Sequence, residues 1–329
     1  MNIHRIHIGL LVVGAMAACQ PVEEKKQAPE EVPASANRVS VPAFNADSAF
    51  AFVGEQVSFG PRKPNTKAHD ACADYLLSKL KSYTPNVIEQ KASVTAFDGT
   101  ILRIRNFIAS FNTENPRRIL LFAHWDTRPW ADQDSVRDRE PIAGADDGAS
   151  GVGVLLEMAR QFSIQAPAVG VDIAFFDAED WGQKGGGMEA QDSYALGTQY
   201  WTRQPHVPGY VAEYGILLDM VGARNAQFRL EGNSNYSAPS VNMKIWDAAA
   251  RLGYSNCFLK EQGGYVTDDH VYVIRYGIPS IDIIGSDPST ASGFGQHWHT
   301  HADDLSVIDP QTLKAVGQTL TEVIYGESR

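Results

Sequence analysis

Apolar residues recur along this chain in two rhythms, and the alternation between them sets the expected fold. From Asp47 to about Tyr83 the spacing is helical: Phe50, Phe52, Val53 and Val57 form one set, and Ala71, Tyr75, Leu76 and Leu80 another. Phe59-Gly60-Pro61-Arg62 should break the pattern as a turn. Residues 87–96 and 101–111 then alternate apolar and polar side chains, which predicts two strands of a hairpin around Asp98-Gly99. Four later runs, 118–122, 171–176, 214–218 and 278–284, are apolar almost throughout, as buried strands are. Helical spacing returns at 152–159, 240–252 and 310–325, with shorter helices expected over 194–201 and after His270. Strands alternating with helices predict an α/β fold: a three-layer sandwich whose central sheet is mixed, largely parallel and flanked by helices.

The first 42 residues stand outside this pattern. His4 and Arg5 precede an apolar run, Ile8 to Ala18, that is too short to span a bilayer and reads as part of a signal peptide over 1–18. Ala17-Ala18-Cys19 resembles a bacterial lipoprotein box, which implies cleavage before Cys19 and a diacylglyceryl group on its thiol; an ordinary signal peptide cut near the same place is the alternative. Gln20 is not the aspartate associated with inner-membrane retention, so the expected location is the periplasmic face of the outer membrane, with the membrane as partner through the lipid. Residues 19–42, rich in Glu, Lys, Pro, Ala and Ser, read as the lipidated cysteine and a flexible tether, because they cannot bury enough apolar surface to offset their ordering entropy. A single domain is expected over 43–329. Cys72 and Cys257 permit a disulfide without requiring one, and they are not spaced as a zinc site. A net charge of −11 argues against a nucleic-acid surface.

The candidate chemistry lies where apolar runs end. His124 and Asp126 follow one, Glu179 and Asp180 a second, Asp219 a third, and His299 comes after the last. Asp146-Asp147 opens a helix, where one carboxylate would serve as N-cap. Glycine-rich residues 183–191 read as a loop over the site. In an open α/β sheet the carboxyl ends of the strands are where ligands bind. Imidazole and carboxylate ligands together suit zinc, and a catalytic zinc keeps one coordination position open. Adjacent carboxylates such as Glu179 and Asp180 can divide labour, one holding metal while the other moves protons. No phosphate-binding loop, GxGxxG or GxSxG elbow accompanies these runs.

Six motifs in order give the chain a specific resemblance: His124-x-Asp126, Gly144-Ala145-Asp146-Asp147, Phe176-Asp177-Ala178-Glu179-Asp180, Leu218-Asp219-Met220-Val221-Gly222, Asp268-Asp269-His270 and Trp298-His299-Thr300. From about Ser48 onward the chain resembles the zinc aminopeptidase-like superfamily, and within it the glutaminyl-peptide cyclotransferases, animal-type glutaminyl cyclases and their bacterial lipoprotein relatives. The resemblance implies one zinc per chain on Asp147, Asp180 and His299, and Glu179 as general acid/base. It places Asp219 and Asp268 in a supporting acid network and Trp298 and Phe294 on the substrate pocket. The implied reaction converts the N-terminal glutamine of peptides or proteins to pyroglutamate with loss of ammonia. Two departures stand out: Asp180 occupies a position where animal cyclases carry Glu, and Ala123 replaces a disulfide cysteine of the animal enzymes. The alternative from the same inventory is a two-zinc aminopeptidase, in which His124, Asp147 and Asp219 hold a second zinc and Glu179 activates water. A non-catalytic surface binding protein on the same scaffold is a further alternative, opposed by the cost of clustering so many charges in a site without chemistry.

Overall fold

The structure is a computed structural model that describes residues 40–185 and 187–327, together with Gly9. The signal peptide, Cys19 and most of the expected tether lie outside the described residues. Contacts of the fold begin by Ser40, earlier than composition suggested: its carbonyl accepts from Gln165, and Val41 packs against the core.

Helix α1 (Ala46–Ser58) starts at Asn45, whose side chain accepts from the Ser48 N–H, and α2 (Lys67–Tyr83) starts at Thr66, which does the same for His69. The expected turn separates them. Strands β1 (Val87–Thr95) and β2 (Ile101–Phe111) form the expected hairpin. β3 (Arg118–His124), α3 (Ala149–Ile164), β4 (Gly170–Phe176), the one-turn α4 (Met188–Gln191), α5 (Leu196–Arg203) and β5 (Tyr214–Asp219) follow. Then come β6 (Phe228–Leu230), α6 (Gly232–Ser237), α7 (Pro239–Arg251), β7 (Phe258–Gln262), α8 (Asp269–Tyr276), β8 (Ser280–Ile284) and α9 (Pro310–Gly326). The main sheet runs β1-β2-β4-β3-β5-β8. β4, β3, β5 and β8 are mutually parallel, and β1 and β2 join antiparallel, so the sheet is mixed and largely parallel as expected. The small β6–β7 pair was not anticipated; β6 is three residues long, too short to show a period.

Alternation on the strands explains why two helical layers are needed. Ile119, Leu121 and Ala123 of β3 face one core with Val171, Ile173 and Phe175 of β4, covered by α1, α3, α7 and α9. Leu120 and Phe122 face the other, with Ala174 and Phe176, under Trp201 of α5 and Val273 of α8. Both sides of these strands are removed from water, which is why they read as continuous apolar runs rather than alternating ones. Burying each large side chain stabilises the fold by about 1.5–3 kcal/mol. Gly151 lets α3 approach closely: a Cβ there would lie 2.2 Å from the Leu218 carbonyl oxygen. That contact brings the start of α3 against the end of β5, and with it Asp147 towards Asp219. Cys72 and Cys257 are both free, which answers the question the sequence left open.

Candidate metal centre

Parallel pairing of β3 with β4 and β5 brings their carboxyl ends to one edge of the sheet, and the functional side chains converge there. His124 Nε2 lies 3.1 Å from Asp147 Oδ1 and 3.2 Å from Asp219 Oδ1. His299 Nε2 lies 3.5 Å from Asp147 Oδ2 and 3.3 Å from Asp180 Oδ1. Asp147 thus stands between two histidines and belongs to two donor sets, His124–Asp147–Asp219 and Asp147–Asp180–His299, each with its atoms within 4.8 Å of one another. Every side chain in both sets is buried. Asp180 Oδ2 is buried without a hydrogen-bond partner, an orphan acceptor that a cation would satisfy. Imidazole and carboxylate donors at this spacing fit zinc.

The backbone carrying these ligands is fastened by other buried carboxylates. Asp126 accepts the N–H of Glu179 at 3.0 Å on one oxygen and that of Asp180 at 3.3 Å on the other. Asp303 accepts the N–H groups of Asp146 and Asp147, at 2.7 and 3.1 Å. Asp146 in turn accepts from Gly222 and Ala223 just beyond β5, and its second oxygen lies 2.9 Å from His297 Nε2. This corrects the N-cap expectation: Gly148 caps α3, at φ 100°, without a side-chain hydrogen bond, and the two acids have separate tasks. Asp146 ties three loops together while Asp147 faces the histidines. Ala178, Met220 and His299 all hold left-handed backbone, at φ 53°, 49° and 56°. Each such residue costs about 1–3 kcal/mol, and all three sit in or beside the ligand positions, where packing over-determines them.

The ligands have partners of their own. His299 Nδ1 lies 3.0 Å from Asp132 Oδ1, the hydrogen bond that fixes which ring nitrogen faces a metal. Buried Arg128 pairs with Asp132 and donates to the carbonyls of Asp180 and Gly182, both at 2.9 Å. A third buried group, Asp268, His270 and Asp282, lies beside the first two, and Glu231 Oε2 lies 3.1 Å from His270 Nε2.

So many acids together disfavour ionisation. Burial, with the charge of Asp268, holds the Glu179 carboxyl well above the usual carboxylate range. Burial and Asp219 push Asp268 up to about 7, and burial pushes Asp219 up to about 6 against its bond to His124. For His299, burial favours the neutral ring, but Asp180 and Asp132 outweigh it and raise the imidazole to about 9. A divalent cation would take the place of these protons.

The site opens into a cavity of about 720 Å³ lined by Asp147, Glu179, Asp180, Asp219, Asp268 and His299 at its acidic end. Trp298 stacks on His299, ring centroids 3.8 Å apart at 22°, and Phe294 packs on Trp298 at 4.8 Å. The metal-ligand, acid/base and pocket residues expected from the sequence are therefore in one place, with Trp298 and Phe294 lining the cavity. The glycine-rich stretch is not: among the described residues, none from 183–191 lines it. Asp132, Arg128, Asp303, Glu231 and Asp282 were not anticipated. They occupy loops, a helix start and a strand interior, where an isolated charge carries no local mark of its partner.

Residues 106–324 match the sequence profile of peptidase family M28. The structure resembles a Zn-dependent exopeptidase from Parabacteroides distasonis, with 55% identity, a TM-score of 0.85, and 87% of this chain and 99% of that one covered. It also resembles the glutaminyl cyclase of Bacteroides thetaiotaomicron solved with N-acetylhistamine, at 52% identity and a TM-score of 0.84 over 87% and 99% of the two chains. Among curated sequences, a glutaminyl-peptide cyclotransferase of Gloydius blomhoffii is 25% identical over 253 residues, 65% of this chain and 63% of that one. The chain spans less than two thirds of the length of the first curated relatives it matches, 42% of one and 63% of the next.

Proposed function

The chain belongs to peptidase family M28, and from that premise we propose that it is a zinc-dependent glutaminyl-peptide cyclotransferase acting on peptides or proteins with N-terminal glutamine. The observation that carries this reading is the aromatic wall at the metal ligands, Phe294 on Trp298 on His299, beside Glu179 and Asp268 in one cavity. The likeness to the B. thetaiotaomicron cyclase supports it.

In this reading Asp147, Asp180 and His299 hold the zinc, oriented by Asp132 and Arg128. Zinc bound there supplies a Lewis acid for the γ-carboxamide of the substrate. Glu179 takes a proton from the α-amine as its nitrogen bonds to the side-chain carbonyl carbon, and returns it to the nitrogen that leaves as ammonia when the old C–N bond breaks. A carboxyl held well above its ordinary pKa by burial is suited to both halves of that exchange. The charge of Asp268 disfavours a second negative charge on Glu179 and so keeps that carboxyl basic, while Asp219 bonds to His124. Trp298 and Phe294 hold the bent substrate and exclude water, so that attack from within the same residue outruns hydrolysis. Purified protein assayed in parallel with a Gln-initiated fluorogenic peptide and a Leu-arylamide tests the proposal. Ammonia and pyroglutamate from the first, with no leucine released from the second, is the expected result; the reverse would refute it.

One observation favours a second reading. Asp147 lies within 3.5 Å of both His124 and His299, the position of a carboxylate bridging two metals. A two-zinc aminopeptidase would use it so, with His124 and Asp219 completing the second set and Glu179 activating water. Metal counting separates the two: one tightly held zinc for the cyclotransferase, two for the aminopeptidase.

The Ala17-Ala18-Cys19 pattern supports a lipid anchor at Cys19 and a periplasmic, outer-membrane location. Cys19→Ala should then move the protein from the detergent phase to the aqueous phase; unchanged partitioning would refute the anchor.

A further inference from the structure

The cavity is larger than the proposed chemistry needs. Pockets of about 300–1,000 Å³ take drug-sized ligands, and at about 720 Å³ this one has room for more than a single glutaminyl residue at its acidic end. The surplus is bounded by β6, β7 and the segment that follows, through Arg229, Glu261 and Tyr265. Tyr265 is 78% exposed, and its ring packs on Gly232 so closely that a Cβ there would come within 2.6 Å of it. An exposed aromatic face held against backbone at the mouth of a cavity is a platform. Glu261 stands on the same wall with its side chain 61% exposed, while its neighbour Lys260 pairs with Asp247 instead.

The charged side chains lining the cavity are mostly acidic. Seven of the described residues lining the cavity are acidic, five of them at the metal-binding end, and Arg229 is the sole lysine or arginine in the described lining. Arg229 is occupied within the wall: Nε donates to Glu261 at 3.0 Å, Nη1 reaches the carbonyl and hydroxyl of Ser286, and Nη2 donates to Gln227. Only one Glu261 oxygen is engaged by it, and the Glu261 side chain stays largely exposed.

We propose that Glu261 and Tyr265 form a specificity subsite for the residue that follows the N-terminal glutamine, and that this subsite takes a cationic side chain, arginine or lysine. The inference rests on the cyclotransferase reading and extends it to a substrate class. A guanidinium or ammonium over the Tyr265 ring gains a cation–π contact, and the free Glu261 oxygen adds an ion pair at an exposed position. An acidic side chain would meet the same wall as repulsion. Together these contacts predict kcat/KM about three- to ten-fold higher for Gln-Arg-Ala than for Gln-Ala-Ala, with Gln-Glu-Ala below both.

The zinc-loaded protein is assayed on the three peptides by ammonia release. The expected order is Arg, then Ala, then Glu, carried mainly by KM and compressed at high salt. Tyr265→Ala and Glu261→Gln should each narrow the Arg-to-Glu ratio, and Tyr265→Phe, which keeps the ring, should narrow it less than Tyr265→Ala. Equal rates on the three peptides, or a ratio unchanged in both Tyr265→Ala and Glu261→Gln, would overturn the subsite while leaving the cyclotransferase reading intact. Ammonia from none of the three would remove that reading, and this inference with it.

Discussion

Glu231 offers a perturbation whose size follows from the structure. It stands between β6 and α6, is 2% exposed, and accepts the N–H groups of Asn233, Ser234 and Val266, at 3.0, 2.7 and 3.0 Å. The Ser234 hydroxyl, the Asn233 side-chain amide and His270 complete its shell. Burial opposes its ionisation, but the hydrogen bond and charge of His270 with the Ser234 donors more than offset this and pull the carboxyl down to about 2 from 4.5. One pKa unit corresponds to about 1.4 kcal/mol, so the ionised form contributes about 3 kcal/mol to folding at pH 7. Because the folded pKa is the depressed one, that stability is present above pH 4.5 and is lost as pH falls through about 2. Near pH 3 about half should remain. Glu231→Gln keeps the shape and removes the charge, so guanidinium unfolding of both proteins at pH 7 and pH 3 reads the contribution directly; the zinc ligands titrate in both and cancel in the difference. Wild type should exceed the variant by about 3 kcal/mol at pH 7 and by roughly half that at pH 3. A difference independent of pH would show that Glu231 acts through packing alone and would refute the electrostatic account.

Three further outcomes are expected. Glu179→Gln should bind zinc nearly normally while kcat falls at least ~10²-fold with little change in KM, whereas Asp180→Ala should lose the metal; the opposite pattern of zinc content would exchange their roles. His299→Ala and Asp147→Ala should each empty the site by elemental analysis, since each leaves two proposed ligands, and a variant with full zinc content removes that residue from the set. Gly151→Ala should lower stability by about 1–3 kcal/mol, because the added methyl meets the Leu218 carbonyl; an unchanged Tm would show that α3 can shift without cost.

The strands were legible because burial on both faces writes itself as an unbroken apolar run, and the strand-end acids because each follows such a run. β6, β7 and α6 were not, since three to six residues span too few repeats to establish a period. One of Asp146 and Asp147 was expected to cap α3 and neither does: a helix start accounts for an acid locally, while their partners lie elsewhere in the chain, His297 for Asp146 and His124 and His299 for Asp147, the expected ligand. Asp303 was invisible for the same reason, being a carboxylate whose donors are backbone groups about 156 residues away in sequence. Contacts of that range leave no mark on either local segment.

The paired oxygens of Asp126 and Asp303 have a consequence for how the protein is made. Each grips two consecutive backbone N–H groups of a ligand-bearing loop, so the positions of Asp147, Glu179 and Asp180 are set by the polypeptide before any metal arrives. Loading is then the last step of maturation and not its trigger, and a chelator should yield an inactive but folded protein that recovers on re-addition of zinc, unlike small domains that metal alone holds together.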